Sequence, residues 1–196
     1  MFDIPIKILK FLPPELAHSF SIQALKYLNL KFDNINDPIL SQHILGLDFP
    51  NPIGLAAGFD KNAEVISSMF SLGFGFIEVG TITPLPQNGN PKPRVFRLEE
   101  DKGIINSLGF NNKGILKAKK NLIKLKSSSN KNRIVGVNLG INKNSTDTIK
   151  DYLFGMESFS NLANYITINI SSPNTVGLRD LQLRGKIENL IKQVVI

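Results

Sequence analysis

Apolar and polar positions along the chain predict short buried strands that alternate with helices. Runs of β-branched and other apolar residues, with the length of buried strands, occur four times. These predicted strands span residues 53–57, 76–80, 134–139 and 165–170. Apolar residues at helical spacing follow each strand, at residues 62–72, 114–126, 146–164 and 187–195. Such alternation predicts a parallel sheet covered by helices.

Two stretches depart from this alternation. Residues 33–52 are loop-like with a short strand pair, and the segment after the second strand is too rich in proline and glycine for a helix. Residues 94–98 and 104–105, on either side of Asp101-Lys102-Gly103, fit a β-hairpin. We therefore expect an antiparallel insertion before the third helix-and-strand unit.

The N-terminal segment, residues 1–32, differs from the remainder, residues 33–196, and we treat it as a separate unit. Pro13 and Pro14 divide it into two short amphipathic helices. The apolar stripe of the second helix comprises Leu16, Ala17, Phe20, Ala24, Leu25 and Leu28. Such a stripe is more often packed against a domain, but lysines beside exposed apolar residues also fit a peripheral membrane anchor.

Polar residues follow the predicted strands at the points where the strands end. Lys61 and Thr81 follow strands one and two, and Asn138 and Asn169 lie at the ends of strands three and four. This placement is typical of a (β/α)8 barrel of the TIM type, in which reactive groups collect at the carboxyl ends of the strands. A doubly wound sheet would also bind ligands there, but no GxGxxG turn follows the first strand. We predict an α/β fold of TIM-barrel type that stops after about four units.

The stretch INISSPNTVGLR, residues 168–179, is the strongest candidate for chemistry. A buried strand runs directly into a polar loop that contains Ser172 and Asn174. Asn169 lies within that strand and has four hydrogen-bonding positions to satisfy, so it should face a paired backbone or a ligand. The alternative interpretation is a simple turn, because serine, proline and asparagine are common turn formers.

Composition narrows the classes of function. The chain of 196 residues has no cysteine, so disulfides, thiolate metal sites and a cysteine nucleophile are excluded. His18 and His43 lie far apart and no HExxH motif occurs, so we expect no metal site. The net charge of +7 reflects a general lysine bias without an arginine-rich aromatic stripe, so we expect no nucleic-acid partner. No run reaches the ~20 apolar residues of a membrane span and no secretory signal begins the chain, so we expect a cytoplasmic start.

Five segments in order resemble one family. They are NPIGLAAGFDKNAE (51–64), GFGFIEVGTITPLPQNGNPKPRVFRL (73–98), INSLGFNNKG (105–114), GVNLGINK (136–143) and INISSPNTVGLRDLQ (168–182). Together with PPELAHSF (13–20), they resemble dihydroorotate dehydrogenase of the membrane-associated, quinone-reducing class. The resemblance covers the whole chain but only the N-terminal part of such an enzyme.

The resemblance implies an FMN enzyme that oxidises dihydroorotate to orotate in pyrimidine biosynthesis and passes the electrons to a quinone. Ser172 matches the position of the family's catalytic base. The residues implied to contact the flavin are Ala57, Gly58, Phe59, Asp60, Lys61, Thr81, Asn138 and Asn169. Those implied to bind the substrate are Lys61, Asn106, Ser107, Leu108, Gly109, Phe110, Asn111, Asn169 and Asn174.

The same resemblance implies a peripheral location on the cytoplasmic face of the membrane, with the N-terminal helices as the docking and quinone element. Ile141 stands where the family usually has lysine, which implies one positive charge fewer near the rim. Val176 replaces a usual proline. The family's other flavin contacts should lie in an absent second half, so we expect either a second chain that supplies them or an inactive fragment that acts at most in membrane binding or interaction.

Overall fold

The computed structural model describes residues 9–27, 37–127 and 133–194. Most of the first predicted N-terminal helix, residues 4–11, lies outside the described residues. The helices are α1 (Pro14–Tyr27), α2 (Ile66–Ser71), α3 (Gly114–Ser127), α4 (Thr148–Phe159) and α5 (Arg184–Val194). The strands are β1 (Gln42–Ile44), β2 (Leu47–Phe49), β3 (Gly54–Leu55), β4 (Phe76–Ile82), β5 (Val95–Leu98), β6 (Gly103–Asn106), β7 (Ile134–Leu139) and β8 (Tyr165–Ile168).

The main sheet is parallel and its spatial order follows the chain, β3-β4-β7-β8. The four strands predicted from sequence form this sheet, and helices connect them. A doubly wound sheet reverses its strand order at a switch point, whereas a barrel adds each strand beside the previous one. The observed order is therefore that of a barrel, and the prediction of an α/β TIM-type fold is confirmed.

The hydrophobic core lies between this sheet and its helices. In β4 and β7 the side chains of Ile77, Val79 and Val137 are inaccessible to solvent. Tyr152 and Phe159 of α4 pack against them and are also fully buried. The carboxylate of Asp147 caps α4 by accepting a hydrogen bond from the Lys150 amide at 3.0 Å, which fixes where this packing helix begins.

Two antiparallel hairpins lie outside the main sheet. β1 pairs with β2, with Gln42 opposite Phe49, and β5 pairs with β6, with Val95 opposite Asn106. They confirm the short strand pair predicted within residues 33–52 and the hairpin predicted around Asp101-Lys102-Gly103. The second hairpin brings β6 to the start of the segment 106–110.

Three boundaries differ from the prediction. The first strand has only two residues, and the helix expected from residue 62 begins at Ile66 because Ala63 has a positive φ of 58°. The fourth strand ends at Ile168 and is half-buried throughout, whereas we expected it to be buried on both sides. It pairs with β7 along one edge only, which explains its exposure.

Helix α1 packs against the body and also exposes apolar side chains. Ala17 and Ile22 are buried, whereas Leu16 is 55% and Phe20 60% exposed. The Lys26 ammonium forms an ion pair with Glu64 at 2.8 Å at the end of the helix. Only part of the predicted apolar stripe therefore faces the domain. Among the residues that the structure describes, no helix has the length and apolar character needed to cross a membrane.

Candidate functional site

The polar residues that follow β3, β4, β7 and β8 lie at the carboxyl edge of the sheet. Backbone hydrogen bonds tie the first two strand ends together, since the Gly58 amide donates to the Gly80 carbonyl at 2.7 Å and the Gly80 amide donates to the Asp60 carbonyl at 3.0 Å. The Asn169 amide donates to the Leu139 carbonyl at 2.9 Å and joins the ends of β7 and β8. We call this edge the rim.

Three residues predicted to contact the flavin form a hydrogen-bonded network on the rim. The Thr81 hydroxyl donates to Asn138 Oδ1 at 2.7 Å, and Asn169 Nδ2 lies 3.1 Å from both Asn138 Oδ1 and Thr81 Oγ1. Asn169 Oδ1 accepts from the amide and the hydroxyl of Ser171. The amide of Asn169 is thus satisfied by protein groups, which fixes the orientation of its side chain.

A carboxylate beneath this network orients Asn138. Asn138 Nδ2 donates to Glu78 Oε1 at 2.7 Å, and the Thr167 hydroxyl donates to Glu78 Oε2 at 3.1 Å. Burial raises the pKa of the nearby Tyr165 phenol, and the negative charge of Glu78 raises it further. Glu78 is the one charged residue inside the apolar run FIEVG, and this was the sequence signal for a buried polar role that we did not predict.

The resemblance implied that Asp60 contacts the flavin; its carbonyl oxygen lies on the rim and accepts from the Gly80 amide, while its side chain is bound to the backbone that follows. Asp60 is only 1% exposed. Its carboxylate accepts hydrogen bonds from the amides of Asn62, Glu64 and Val65 at 3.3, 2.8 and 2.8 Å. Burial raises the pKa of this carboxyl, and the backbone hydrogen bonds act against the rise. The Asp60 side chain therefore holds the turn that carries Lys61.

Lys61 lines a cavity of about 300 Å³ between α1 and the rim. Its pKa is lowered to about 8, first by burial and then by the positive charge of Arg94, while the Glu15 carboxylate acts in the opposite direction. Within the described part of the chain, the Lys61 ammonium has no hydrogen-bond or ion-pair partner. Lys61 is half-buried, and an ammonium without a protein partner in such a cavity is a group that an anionic ligand would satisfy.

The same cavity holds a second unsatisfied group. Asn111 Oδ1 is buried and has no hydrogen-bond partner within the described ranges. His18 on α1 closes one wall, because its Nε2 lies 2.7 Å from the Phe59 carbonyl oxygen and its ring stacks edge-on against the Phe59 ring at 5.3 Å. The wall of the cavity therefore contains one unpaired buried acceptor in addition to the unpaired Lys61 ammonium. His43, by contrast, is exposed and contacts Asp48 in the first hairpin.

The segment 106–110 is held by its backbone. The Ser107 amide donates to the Arg94 carbonyl at 2.9 Å, and the Gly109 carbonyl accepts from Gln87 Nε2 at 3.1 Å. Gly109 and Phe110 both have positive φ, at 69° and 54°. Asn106 at its start is exposed, and its Oδ1 accepts weakly from the Leu108 amide at 3.4 Å.

Ser172 and Asn174 form a small turn after β8. Ser172 is half-buried, and its Oγ accepts a hydrogen bond from the Asn174 amide at 3.2 Å. Across the described residues, no carboxylate or imidazole is hydrogen-bonded to the Ser172 hydroxyl. Within the same described residues, no hydrogen bond links this turn to Lys61 or Asn111.

The predicted site residues thus fall into three groups. Thr81, Asn138 and Asn169 form the rim network, Lys61 and Asn111 share the cavity, and Ser172 lies with Asn174. Ala57, Gly58 and Phe59 form the turn after β3, and Gly58, with a φ of 113°, would direct a Cβ into open space. Ile141, where a rim lysine was expected, is instead buried in the core.

The order of the parallel strands and the polar rim at their carboxyl ends define four consecutive units of a TIM-type barrel enzyme. The family model described as dihydroorotate dehydrogenase matches residues 39–196. The chain belongs to the dihydroorotate dehydrogenase family.

Individual relatives agree with this assignment. The chain is 52% identical over 194 residues to "Dihydroorotate dehydrogenase (quinone)" of Rhizobium rhizogenes, an alignment that covers 98% of this chain and 52% of that protein. It is 52% identical over 181 residues to "Dihydroorotate dehydrogenase (quinone), mitochondrial" of Cyclocybe aegerita, covering 92% of this chain and 54% of that protein.

A solved structure is similar throughout. The crystal structure of dihydroorotate dehydrogenase from Eimeria tenella in complex with ferulenol superposes with a TM-score of 0.85 at 45% identity. The superposition covers 92% of this chain and 50% of that one. The chain therefore spans about half the length of the relatives it matches.

Proposed function

We propose that this chain supplies the N-terminal half of the active site of a quinone-dependent dihydroorotate dehydrogenase. In this proposal the completed enzyme oxidises dihydroorotate to orotate in pyrimidine biosynthesis. The observation that carries it is a cavity lined by Lys61, whose ammonium has no partner among the described residues, and by Asn111, whose buried Oδ1 is also unpaired there. An anion with amide-like edges, such as dihydroorotate, would satisfy both groups.

The rim residues suit an FMN cofactor. Gly58 has an open side toward which a flat ring could approach without meeting a side chain. Thr81, Asn138 and Asn169 form a fixed polar network that is hydrogen-bonded within the protein, and a flavin edge would contact it by sharing or replacing some of these bonds. FMN, when bound, would supply the hydride acceptor for the substrate and the path by which electrons reach the quinone.

The substrate would lie between Lys61 and the segment 106–110. Lys61 supplies the positive charge for the substrate carboxylate, and Asn106, Asn111, Asn169 and Asn174 supply donors and acceptors for its ring. The backbone of Ser107, Leu108, Gly109 and Phe110 would close around it. Asp60 contributes only through the position of the turn before Lys61.

Ser172 would remove the proton from the carbon next to the one that loses the hydride. A serine hydroxyl is a weak base at its ordinary pKa, so it needs stabilisation in the transition state. The Asn174 amide already donates to Ser172 Oγ and would stabilise negative charge that develops there. The hydroxyl proton would then pass to water or to a neighbouring group.

Helix α1 would provide contact with the membrane and access for the quinone. The exposed Leu16 and Phe20 give it an apolar outer face, while Ala17 and Ile22 fix its inner face on the domain. We place the protein at the cytoplasmic face of the membrane, bound peripherally. This corresponds to a division into a docking unit, residues 1–32, and a barrel unit, residues 33–196.

A C-terminal half would complete the site, because the relatives are about twice as long as this chain. We therefore propose that a second polypeptide or a continuation of this one supplies the remaining flavin contacts. The alternative is a non-catalytic fragment that only binds membranes or other proteins.

Visible absorbance tests the proposal. The 196-residue chain would be purified alone and after co-expression with the C-terminal half of the Rhizobium rhizogenes relative. We expect a bound-flavin spectrum that bleaches with dihydroorotate only in the co-expressed sample. Flavin held by the short chain alone would contradict the need for the second half, and no flavin in either sample would support the non-catalytic alternative.

A further inference from the structure

Arg94 is a buried cation that joins helix α1 to the segment 106–110. Arg94 is only 5% exposed, although it immediately precedes strand β5 of the second hairpin, which lies outside the main sheet. Its Nε and Nη2 donate to Glu15 Oε1 of α1 at 3.1 and 2.8 Å. Its Nη1 donates to the carbonyl oxygens of Asn88 and Asn90 at 2.5 and 2.7 Å.

The loop that Arg94 holds is the backing of the segment 106–110. The Asn90 amide donates to the Leu108 carbonyl at 3.1 Å, and Asn90 Nδ2 donates to the Ser107 carbonyl at 2.9 Å. The Ser107 amide returns a hydrogen bond to the Arg94 carbonyl, and Arg94 Nη1 reaches the Leu108 carbonyl at 3.5 Å. Both chain segments are thus fixed around one guanidinium.

Glu15 completes this arrangement from the other side. It lies in the first turn of α1 and its carboxylate accepts two hydrogen bonds from the Arg94 guanidinium, whereas Lys92 is 3.9 Å away and mostly exposed. Hydrogen bonds between charged groups are stronger than neutral ones, and a buried guanidinium that loses its carboxylate is left uncompensated. Seating of α1 therefore stabilises Arg94, and Arg94 stabilises the loop.

We propose that Arg94 is a positioning residue that couples the seating of helix α1, through Glu15, to the conformation of the segment 106–110. The inference deepens the proposed function, since this segment would close around dihydroorotate and α1 would lie on the membrane. Arg94 itself holds only protein groups in this arrangement. An α1 displaced from the body would thus leave the substrate segment less ordered.

Hydrogen–deuterium exchange of the purified full chain tests the coupling without requiring activity. The reporters are peptides covering residues 87–92 and 103–110, which contain the Asn90 and Ser107 amides. Peptides from β4 and β7 report on the stability of the whole fold. We expect Arg94→Gln and Glu15→Gln each to raise exchange in the two reporters by about tenfold, with the reference peptides unchanged.

Arg97→Gln is the matched control. Arg97 lies in the same hairpin and donates to the carbonyls of Leu9, Lys10 and Leu12, but it makes no hydrogen bond to the segment 106–110. Its loss should loosen the start of the N-terminal segment and leave both reporters unchanged. Lys92→Gln should also leave them unchanged. The double variant of Glu15 and Arg94 should exchange no faster than Arg94→Gln alone, because both changes remove the same Glu15–Arg94 ion pair.

The outcomes separate this proposal from a general structural role and from the proposed function. The coupling would be overturned if Glu15→Gln left exchange in the 103–110 peptide unchanged, or if exchange in the β4 and β7 peptides rose by the same factor. If Arg94→Gln does not fold, the result for Glu15→Gln decides. In the completed enzyme, Arg94→Gln should raise the KM for dihydroorotate more than it lowers kcat. If the wild-type enzyme shows no such oxidation, the proposed function fails while the exchange result still decides the coupling.

Discussion

Replacement of Asp60 by alanine should destabilise the chain through the turn that carries Lys61. The change leaves three backbone amides, those of Asn62, Glu64 and Val65, without their acceptor. Hydrogen bonds to a charged group contribute about 1.5 kcal/mol each at the lower end, which gives about 4.5 kcal/mol for the three. Burial of the carboxylate, which raises its pKa, offsets part of this. We expect a net loss of about 3 kcal/mol in the free energy of unfolding.

Urea unfolding followed by circular dichroism measures this loss as a shift of the midpoint at constant slope. Asp60→Asn keeps an oxygen for the amides of Asn62 and Glu64 but not for that of Val65, so it should cost about 1.5 kcal/mol. Asp48→Ala is the control, because Asp48 is exposed with a side chain 91% accessible, and it should change stability by less than about 0.5 kcal/mol. An Asp60→Ala variant as stable as this control would refute the reasoning.

Three further predictions follow from single contacts. Because the Lys61 pKa is lowered to about 8, the folded protein loses this charge as pH rises above 8; calorimetry should show orotate binding weaken there, and Lys61→Met should remove the dependence. Tyr152→Phe removes the hydrogen bond to the Asn169 carbonyl at 2.8 Å and should cost about 1 kcal/mol in urea unfolding. Gly80→Ala should cost at least about 2 kcal/mol by the same assay, because φ is 113° and a Cβ would overlap the Asn138 carbonyl oxygen. A neutral Tyr152→Phe would contradict the contribution of its hydrogen bond, and a neutral Gly80→Ala would contradict the close approach of Asn138.

The sheet could be predicted because its signals are local. Each strand is a short apolar run, and each run ends where a polar residue begins, so the meeting of Thr81, Asn138 and Asn169 follows from parallel pairing alone. The second hairpin was similarly predictable from its turn residues. The spacing of apolar residues and the residue types of a turn are set within a few positions, so both can be seen in a single sequence.

The direction of a side chain in a tight turn was not predictable. Asp60 and Lys61 are neighbours that both line the cavity, yet the Asp60 carboxylate is bound to backbone amides whereas the Lys61 ammonium has no partner among the described residues. The positive φ of Ala63 has no sequence signal, and it shortened the expected helix. The Glu15–Arg94 pair joins residues 79 positions apart, and only the packing of α1 brings them together. Ile141 shows the same limit, since its burial depends on neighbours that the sequence does not reveal.

The most direct test of the central claim is the rate at which dihydroorotate bleaches the flavin in the completed enzyme under anaerobic stopped flow. Ser172→Ala should retain bound FMN and slow this reduction by about 100-fold or more, since general-base catalysis contributes on that order. Ser160→Ala, which removes an exposed hydroxyl at the end of α4, is the control and should reduce at the wild-type rate. Wild-type reduction kinetics in Ser172→Ala would contradict the account.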